Sequence, residues 1–266
     1  MASHTSSHHH LITTSLLRRI KIMRIIKLDI LDIGDIVEML KKGQTIVYPT
    51  ETCYGLGCDA RNVEAVEKVA KIKQRQANKP MLVVVPDAAM ALRYLEWSLK
   101  LQELADKYWF IRRSPPKADE VEPGALTVVG KALSLRGVAE ATTKQSTLFR
   151  RLLDCFVARA PRNDSLAPGV VASDGTVAFR VTSHPIAARL SRELDAPLVS
   201  TSANISGEEQ PYSVEAVQRY FASQSDQPDI IIDAGELPRR APSTIVRVIG
   251  DRVEVLRQGE VVVINF

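Results

Sequence analysis

The chain has 266 residues, 45% of them apolar, 25% charged and 5% aromatic, with a formal net charge of +4. This profile excludes disordered, collagenous and fibrous classes and supplies a real core, at a length that α/β proteins commonly fold as one domain. The charge is lopsided: residues 1–28 hold five of the 35 Lys and Arg (Arg18, Arg19, Lys21, Arg24 and Lys27) and none of the 31 acids, leaving −1 for the rest, so a polyanionic partner is weakly argued.

Residues 1–28 read as a basic, His-rich extension, with three competing explanations: a tag or start-site extension before Met23, a disordered basic tail, or a transit peptide. Arg18 and Arg19 interrupt any secretory apolar run, and no segment approaches the roughly 18 apolar residues that span a bilayer. A cytoplasmic protein without a membrane partner is expected. A single domain is predicted over 29–266. Ile33, Ile36, Val37 and Leu40 recur at helical spacing and Gly43 stops them. Thr45 to Tyr48 reads as a buried strand ended by Pro49. Asn62 caps a helix with Val63, Val66, Val69, Ala70 and Ile72 as its apolar stripe, and Met81 to Val85 follows as a core strand. Further strands are predicted at Ala125 to Val129, Thr176 to Val181, Pro197 to Ser200, Ile230 to Asp233, Thr244 to Val248 and Val253 to Leu256. Helices are predicted at His184 to Leu194 and Ser213 to Phe221. Helical crossovers with closely spaced late strands predict an α/β fold, a twisted mixed open sheet flanked by helices. Two polar stretches, 110–122 and 134–166, read as surface insertions; the second carries six Lys and Arg against three acids.

The inventory of reactive side chains is narrow. Four of the five histidines lie in the first ten residues, leaving His184 for the body, which excludes a His-rich zinc site. Cys53, Cys58 and Cys155 form no C-x-x-C pair and imply neither a disulfide framework nor a zinc ribbon. Chemistry must rest on hydroxyls and cations. The segment Tyr48-Pro-Thr-Glu-Thr-Cys-Tyr-Gly-Leu-Gly-Cys58 leaves a strand as a loop with hydroxyls and two glycines, suited to close approach of a ligand or equally to a tight structural turn. Lys71 to Lys79 places four cations after a helix, either a polyphosphate cradle or a solvated helix end. There is no P-loop. Ser200-Thr-Ser-Ala-Asn-Ile-Ser-Gly207 is a hydroxyl-rich strand end, of which Ser202 alone could be a cap. Ala241-Pro-Ser-Thr244 and Leu256-Arg-Gln-Gly259 complete the set.

Taken in order, PTETCYGLGCDA, KIKQRQANKPMLVVV, PGALTVV, SDGTVAFRVTSHPIA, STSANISG, PSTIV and LRQGE closely resemble the YrdC/TsaC family of L-threonylcarbamoyladenylate synthases, from about Asp29 to Glu260. The resemblance implies a YrdC-like catalytic domain without the C-terminal domain of longer relatives. It implies that L-threonine, bicarbonate (or CO2) and ATP are converted to threonylcarbamoyl-AMP and pyrophosphate, for N6-threonylcarbamoyladenosine modification of tRNA by a downstream transfer machinery. By position, Thr52, Arg180, Ser200 and Ser243 resemble the contacts to threonine and its carbamate. Arg75, Lys79, Thr176, Ser202 and Arg257 resemble nucleotide contacts, with Lys73 and Asn204 beside them and Mg²⁺ expected on the phosphates rather than on direct protein ligands. No general base is implied; positioning and electrostatics would carry the reaction. His184, at a predicted helix start, is explained by a terminal hydrogen bond. Three departures stand out: 110–122 separates Trp109 from Pro123, Thr182 stands at a usual proline, and Gln76 replaces another. A non-catalytic, RNA-binding or regulatory module is the alternative.

Overall fold

The computed structural model describes residues 23–76, 79–109, 126–133 and 165–263. Strand β1 (Arg24–Lys27) runs parallel to β9 (Ile230–Asp233), pairing Ile26 with Ile232, and Ile26 is buried. The folded unit therefore extends into the stretch read as an extension, and the boundary at residue 29 moves. β9 meets β2 (Ile46–Pro49) only at Ile46 and Val47, so without β1 the backbone groups on its other edge would lack partners.

Helix α1 (Ile33–Lys41) is capped by Asp32, whose carboxylate accepts from Gly34 N, and ends at Gly43, where φ is +76°. α2 (Val63–Ile72) starts from Asn62, whose Oδ1 accepts from Ala65 N, as its sequence predicts. Two helices are not foreseen, α3 (Ala88–Leu92) and α4 (Leu99–Tyr108). α5 (Pro185–Leu194) and α6 (Val214–Phe221) each begin one residue later than predicted, because His184 and Ser213 serve as caps.

Besides β1, β2 and β9, the strands are β3 (Tyr54–Gly57), β4 (Val83–Val85), β5 (Leu126–Lys131), β6 (Thr176–Val181), β7 (Leu198–Val199), β8 (Thr201–Ser202), β10 (Thr244–Ile249) and β11 (Arg252–Arg257). The α/β class and the mixed pairing are as expected, but the described strands form two sheets rather than one: β1-β9-β2-β3-β8 and β11-β10-β5-β6-β4-β7. The predicted strand at Pro197 to Ser200 is where they divide. Val199 N donates to Cys58 O, Ser200 N donates to Leu82 O, and Thr201 pairs with Leu56. A single residue, Ser200, thus joins the strand of one sheet to that of the other.

The glycine-rich segment after Pro49 is also a correction: Tyr54–Gly57 is a fully buried strand antiparallel to β2, not a loop. At Gly57 a Cβ would lie 1.8 Å from Val199 O, so the missing side chain admits neighbouring backbone rather than a ligand.

One core cluster fills the space between α1, α5 and the sheet residues Ile46, Tyr48, Ile230 and Ile232. A second packs Leu126, Val128, Val177, Phe179 and Val246 against Leu101 and Leu104 of α4. That packing uses one face of the six-stranded sheet and leaves the opposite face for the site. The predicted insertions at 110–122 and 134–166 lie outside the described residues, save Ser165 and Leu166, as does Cys155. β5, which they flank, pairs with both β10 and β6. Among the described residues no helix is long and apolar enough to cross a membrane.

Candidate active site

Alternation along three strands builds the floor of a cavity of about 1060 Å³. Thr176, Ala178 and Arg180 come from β6, Thr127 and Val129 from β5, and Ile245 and Arg247 from β10, with Ser243 just before it. The walls are the turn after β2, the end of α2 and the segment around Ser200. All eleven residues singled out by motif line this one cavity: Thr52, Lys73, Arg75, Lys79, Thr176, Arg180, Ser200, Ser202, Asn204, Ser243 and Arg257.

The turn is locally determined. Thr50 Oγ1 donates to Cys53 O at 2.7 Å and accepts from Thr52 N and Cys53 N, which closes the chain and leaves Thr52 Oγ1 beside it at 3.1 Å. Glu51 points into the protein, where its Oε1 lies 2.9 Å from Arg180 Nε, an ion pair by distance whose N–H is not aligned for a hydrogen bond. Thr182 Oγ1 donates to Glu51 Oε2 at 2.6 Å and accepts from His184 N. Burial would raise the Glu51 carboxyl, but Arg180 and the Thr182 hydroxyl outweigh it and hold the pKa below the ordinary carboxylate value. The hydroxyl at the position usually proline therefore has a task. Glu51 escaped the sequence reading; its signal is a lone acid between two threonines in a stretch that folds inward.

Lys73 is buried at the end of α2, and its ammonium donates to Ser202 O at 2.6 Å, Ser202 Oγ at 3.1 Å, Asn204 O at 3.1 Å and Asn204 Oδ1. Four acceptors for three protons leave it engaged with protein, so Lys73 ties α2 to the Ser200 segment. Burial, followed by the charge of Arg75, pushes its pKa down to about 8. Arg75 Nε and one terminal nitrogen donate to Lys79 O and Pro80 O at 2.9 Å each, bracing the turn before β4, while Lys79 is exposed.

Arg257 donates to Ser243 O at 2.7 Å and to Ser243 Oγ at 3.2 Å, and Ser243 Oγ meets Thr127 Oγ1 at 2.9 Å. Burial and then the nearby charge of Arg180 lower its pKa. Thr127, between Arg180 and Ser243 across the sheet, is a second residue that motif reading missed. On the other wall a Cβ at Gly55 would lie 3.2 Å from Ser200 Oγ, so the hydroxyls of the turn and of the Ser200 segment adjoin. Thr176 Oγ1 donates to Asp174 Oδ1 at 2.6 Å.

His184 takes the place expected of it. Its Nδ1 accepts from Ile186 N at 3.3 Å at the start of α5, and burial lowers its pKa to about 4, so it is a neutral cap. Cys53 lines the cavity with a thiol that burial pushes above its ordinary pKa, which argues against a thiolate nucleophile. The arrangement can neutralise and orient a multiply charged anion and hydrogen-bond a small polar molecule beside it.

The family model Sua5_yciO_yrdC, described as telomere recombination, matches residues 38–149 and 134–259. Threonylcarbamoyl-AMP synthase of Thiobacillus denitrificans (strain ATCC 25259 / T1) is 33% identical over 207 residues, 78% of this chain and 86% of that protein. The synthase of Vibrio vulnificus (strain YJ016) is 31% identical over 232 residues, 86% and 98% respectively. Among solved structures, P. abyssi Sua5 complexed with L-threonine superposes with a TM-score of 0.64 at 24% identity, covering 90% of this chain and 57% of that one. E. coli YciO gives 0.61 at 24% identity, covering 90% and 96%. Both likenesses are of fold.

Proposed function

Because the chain belongs to the Sua5/YciO/YrdC family, we propose that it makes L-threonylcarbamoyl-AMP from L-threonine, CO2 or bicarbonate, and ATP. The neutral amino nitrogen of threonine attacks CO2 and loses a proton to solvent to form a carbamate; from bicarbonate the same carbamate forms with loss of water. A carbamate oxygen then attacks the α-phosphorus, the bond from that phosphorus to the bridging oxygen breaks, and pyrophosphate leaves.

The observation that carries this reading is the convergence of Lys73, Arg75, Lys79, Arg180 and Arg257 on one cavity, a set of cations that an anionic ligand neutralises. Arg180, its Nε beside Glu51, turns its terminal nitrogens to the threonine carboxylate, with Thr52, Ser200 and Ser243 as hydroxyl partners. Arg75, Lys79, Ser202 and Arg257 take the phosphates. Thr176 stands at the nucleoside end, and Lys73 acts through Ser202 and Asn204. In-line positioning needs no imidazole.

Mg²⁺ fits this site as a passenger on the phosphates. The walls offer hydroxyl and amide oxygens, hard donors suited to a hydrated ion, and among the described residues no three acids, histidines or cysteines gather to hold it directly. Bound there, the ion would spread the charge on the leaving pyrophosphate. The product is a mixed anhydride, so its consumer is a transferase that carries the threonylcarbamoyl group to adenosine in tRNA.

Pyrophosphate release tests the reading. It should require ATP, threonine and bicarbonate together and be accompanied by threonylcarbamoyl-AMP in the quenched reaction. Folded protein that binds tRNA in salt-sensitive fashion yet releases no pyrophosphate would replace the synthase by an RNA-binding module.

A further inference from the structure

The cavity floor has two unlike ends. Arg180, Thr127 and Ile245 form the row at one, beside Ser243; Ala178 and Val129 form the next row with Arg247 flanking them, and Asp174 lines the wall beyond Thr176 at the other. Arg247 lies opposite Glu254 of β11 but forms no ion pair with it, and its Nε is buried with no hydrogen-bond partner. A half-buried guanidinium left in this state at a ligand cavity is costly unless a ligand accepts from it. Asp174 has the complementary property: Thr176 N and Oγ1 both use Oδ1, leaving Oδ2 to accept another donor.

We infer that Arg247 and Asp174 read the edge of the nucleobase, with the ring lying on Ala178 and Val129. The assignment rests on the proposed use of ATP. With the phosphates at the Arg75 and Ser202 wall, a nucleoside laid along β6 reaches Thr176, because the four residue steps from Arg180 to Thr176 extend over about 13 Å. Adenine presents there an exocyclic amine, which donates to Asp174 Oδ2, and a ring nitrogen, which accepts from Arg247. Inosine carries an oxygen where adenine carries the amine and sets an acceptor against the carboxylate. A pyrimidine is too short to keep both contacts.

Calorimetric titration of the full chain with ATP and inosine triphosphate in the presence of Mg²⁺ tests this directly. The wild type should bind ATP about tenfold more tightly, the worth of one hydrogen bond to a charged group. Asp174→Asn, whose amide can turn to either base, should narrow that ratio to under about threefold. Arg247→Gln should weaken both nucleotides about tenfold while the threonine KM and the melting temperature stay as in the wild type. Equal binding of the two nucleotides by the wild type, or an unchanged ratio in Asp174→Asn, would overturn the assignment. Failure of the synthase reading has a different signature, selective ATP binding without pyrophosphate release.

Discussion

Arg180 Nε lies 2.9 Å from Glu51 Oε1, and neither side chain is more than 5% exposed. A pair so placed beneath a cavity fixes which nitrogens of the guanidinium remain for a ligand. Removing one member leaves the other charge buried alone. Glu51→Ala should therefore destabilise the fold by about 3–5 kcal/mol, and Glu51→Met with Arg180→Met together should recover part of that loss. Denaturant midpoints at constant slope measure it; a Glu51→Ala protein as stable as the parent would show that solvent reaches the pair.

Acid should unfold the protein in two stages. The folded His184 titrates at about 4 against an ordinary 6.5, so the folded state binds fewer protons between those values and stability falls as pH drops from 6.5 toward 4, by about 2–4 kcal/mol. Glu51, held below its ordinary pKa of 4.5, adds stability that is present above that value and is lost as pH falls through the depressed one. His184→Asn keeps a capping oxygen and should flatten the first stage alone. Thermal melts between pH 7 and pH 3 distinguish the stages, and an unchanged upper stage in His184→Asn would assign it elsewhere.

Lys73 and Arg75 should separate on substitution. Lys73→Met strips donors from Ser202 and Asn204 and should cost about 3 kcal/mol of stability. Arg75→Ala, at a half-buried site, should weaken ATP use far more than it lowers the melting temperature. Parallel ATP KM and melting measurements decide this, and equal losses of stability would return Arg75 to a bracing role at Lys79 and Pro80.

Gly57→Ala should be among the most damaging small changes, about 3 kcal/mol or more, because its Cβ would meet Val199 O at 1.8 Å and neither backbone can yield without breaking a sheet. A variant that expresses with parental stability would mean that β7 shifts freely.

Much of this architecture is legible in the chain. The bounds of β6 and β9 follow from β-branched runs with clear punctuation, and the cap at Asn62 is stated by residue type at the start of an apolar periodicity. Tyr54–Gly57 was obscured because two glycines weaken a strand pattern, and the reason for Gly57, the approach of Val199, comes from 142 residues away along the numbering. Arg24–Lys27 was hidden by the basic composition around it, although Ile25 and Ile26 carry β-branched character. The cavity-lining set was recoverable from ordered motifs. Glu51 and Thr127 were not, since their importance lies in partners across the fold, Arg180 and Ser243.

The single-residue link at Ser200 constrains chain length more than it constrains chemistry. Val199 is tied to Cys58 and Thr201 is paired with Leu56, so both ends of the link are anchored independently of what lies between. One added residue there would leave either anchor satisfiable but rotate Ser202 relative to Lys73 and open the spacing between the cavity walls. Deletions and insertions at this point should abolish function in proteins that still fold, and substitutions should be tolerated better than a change of count.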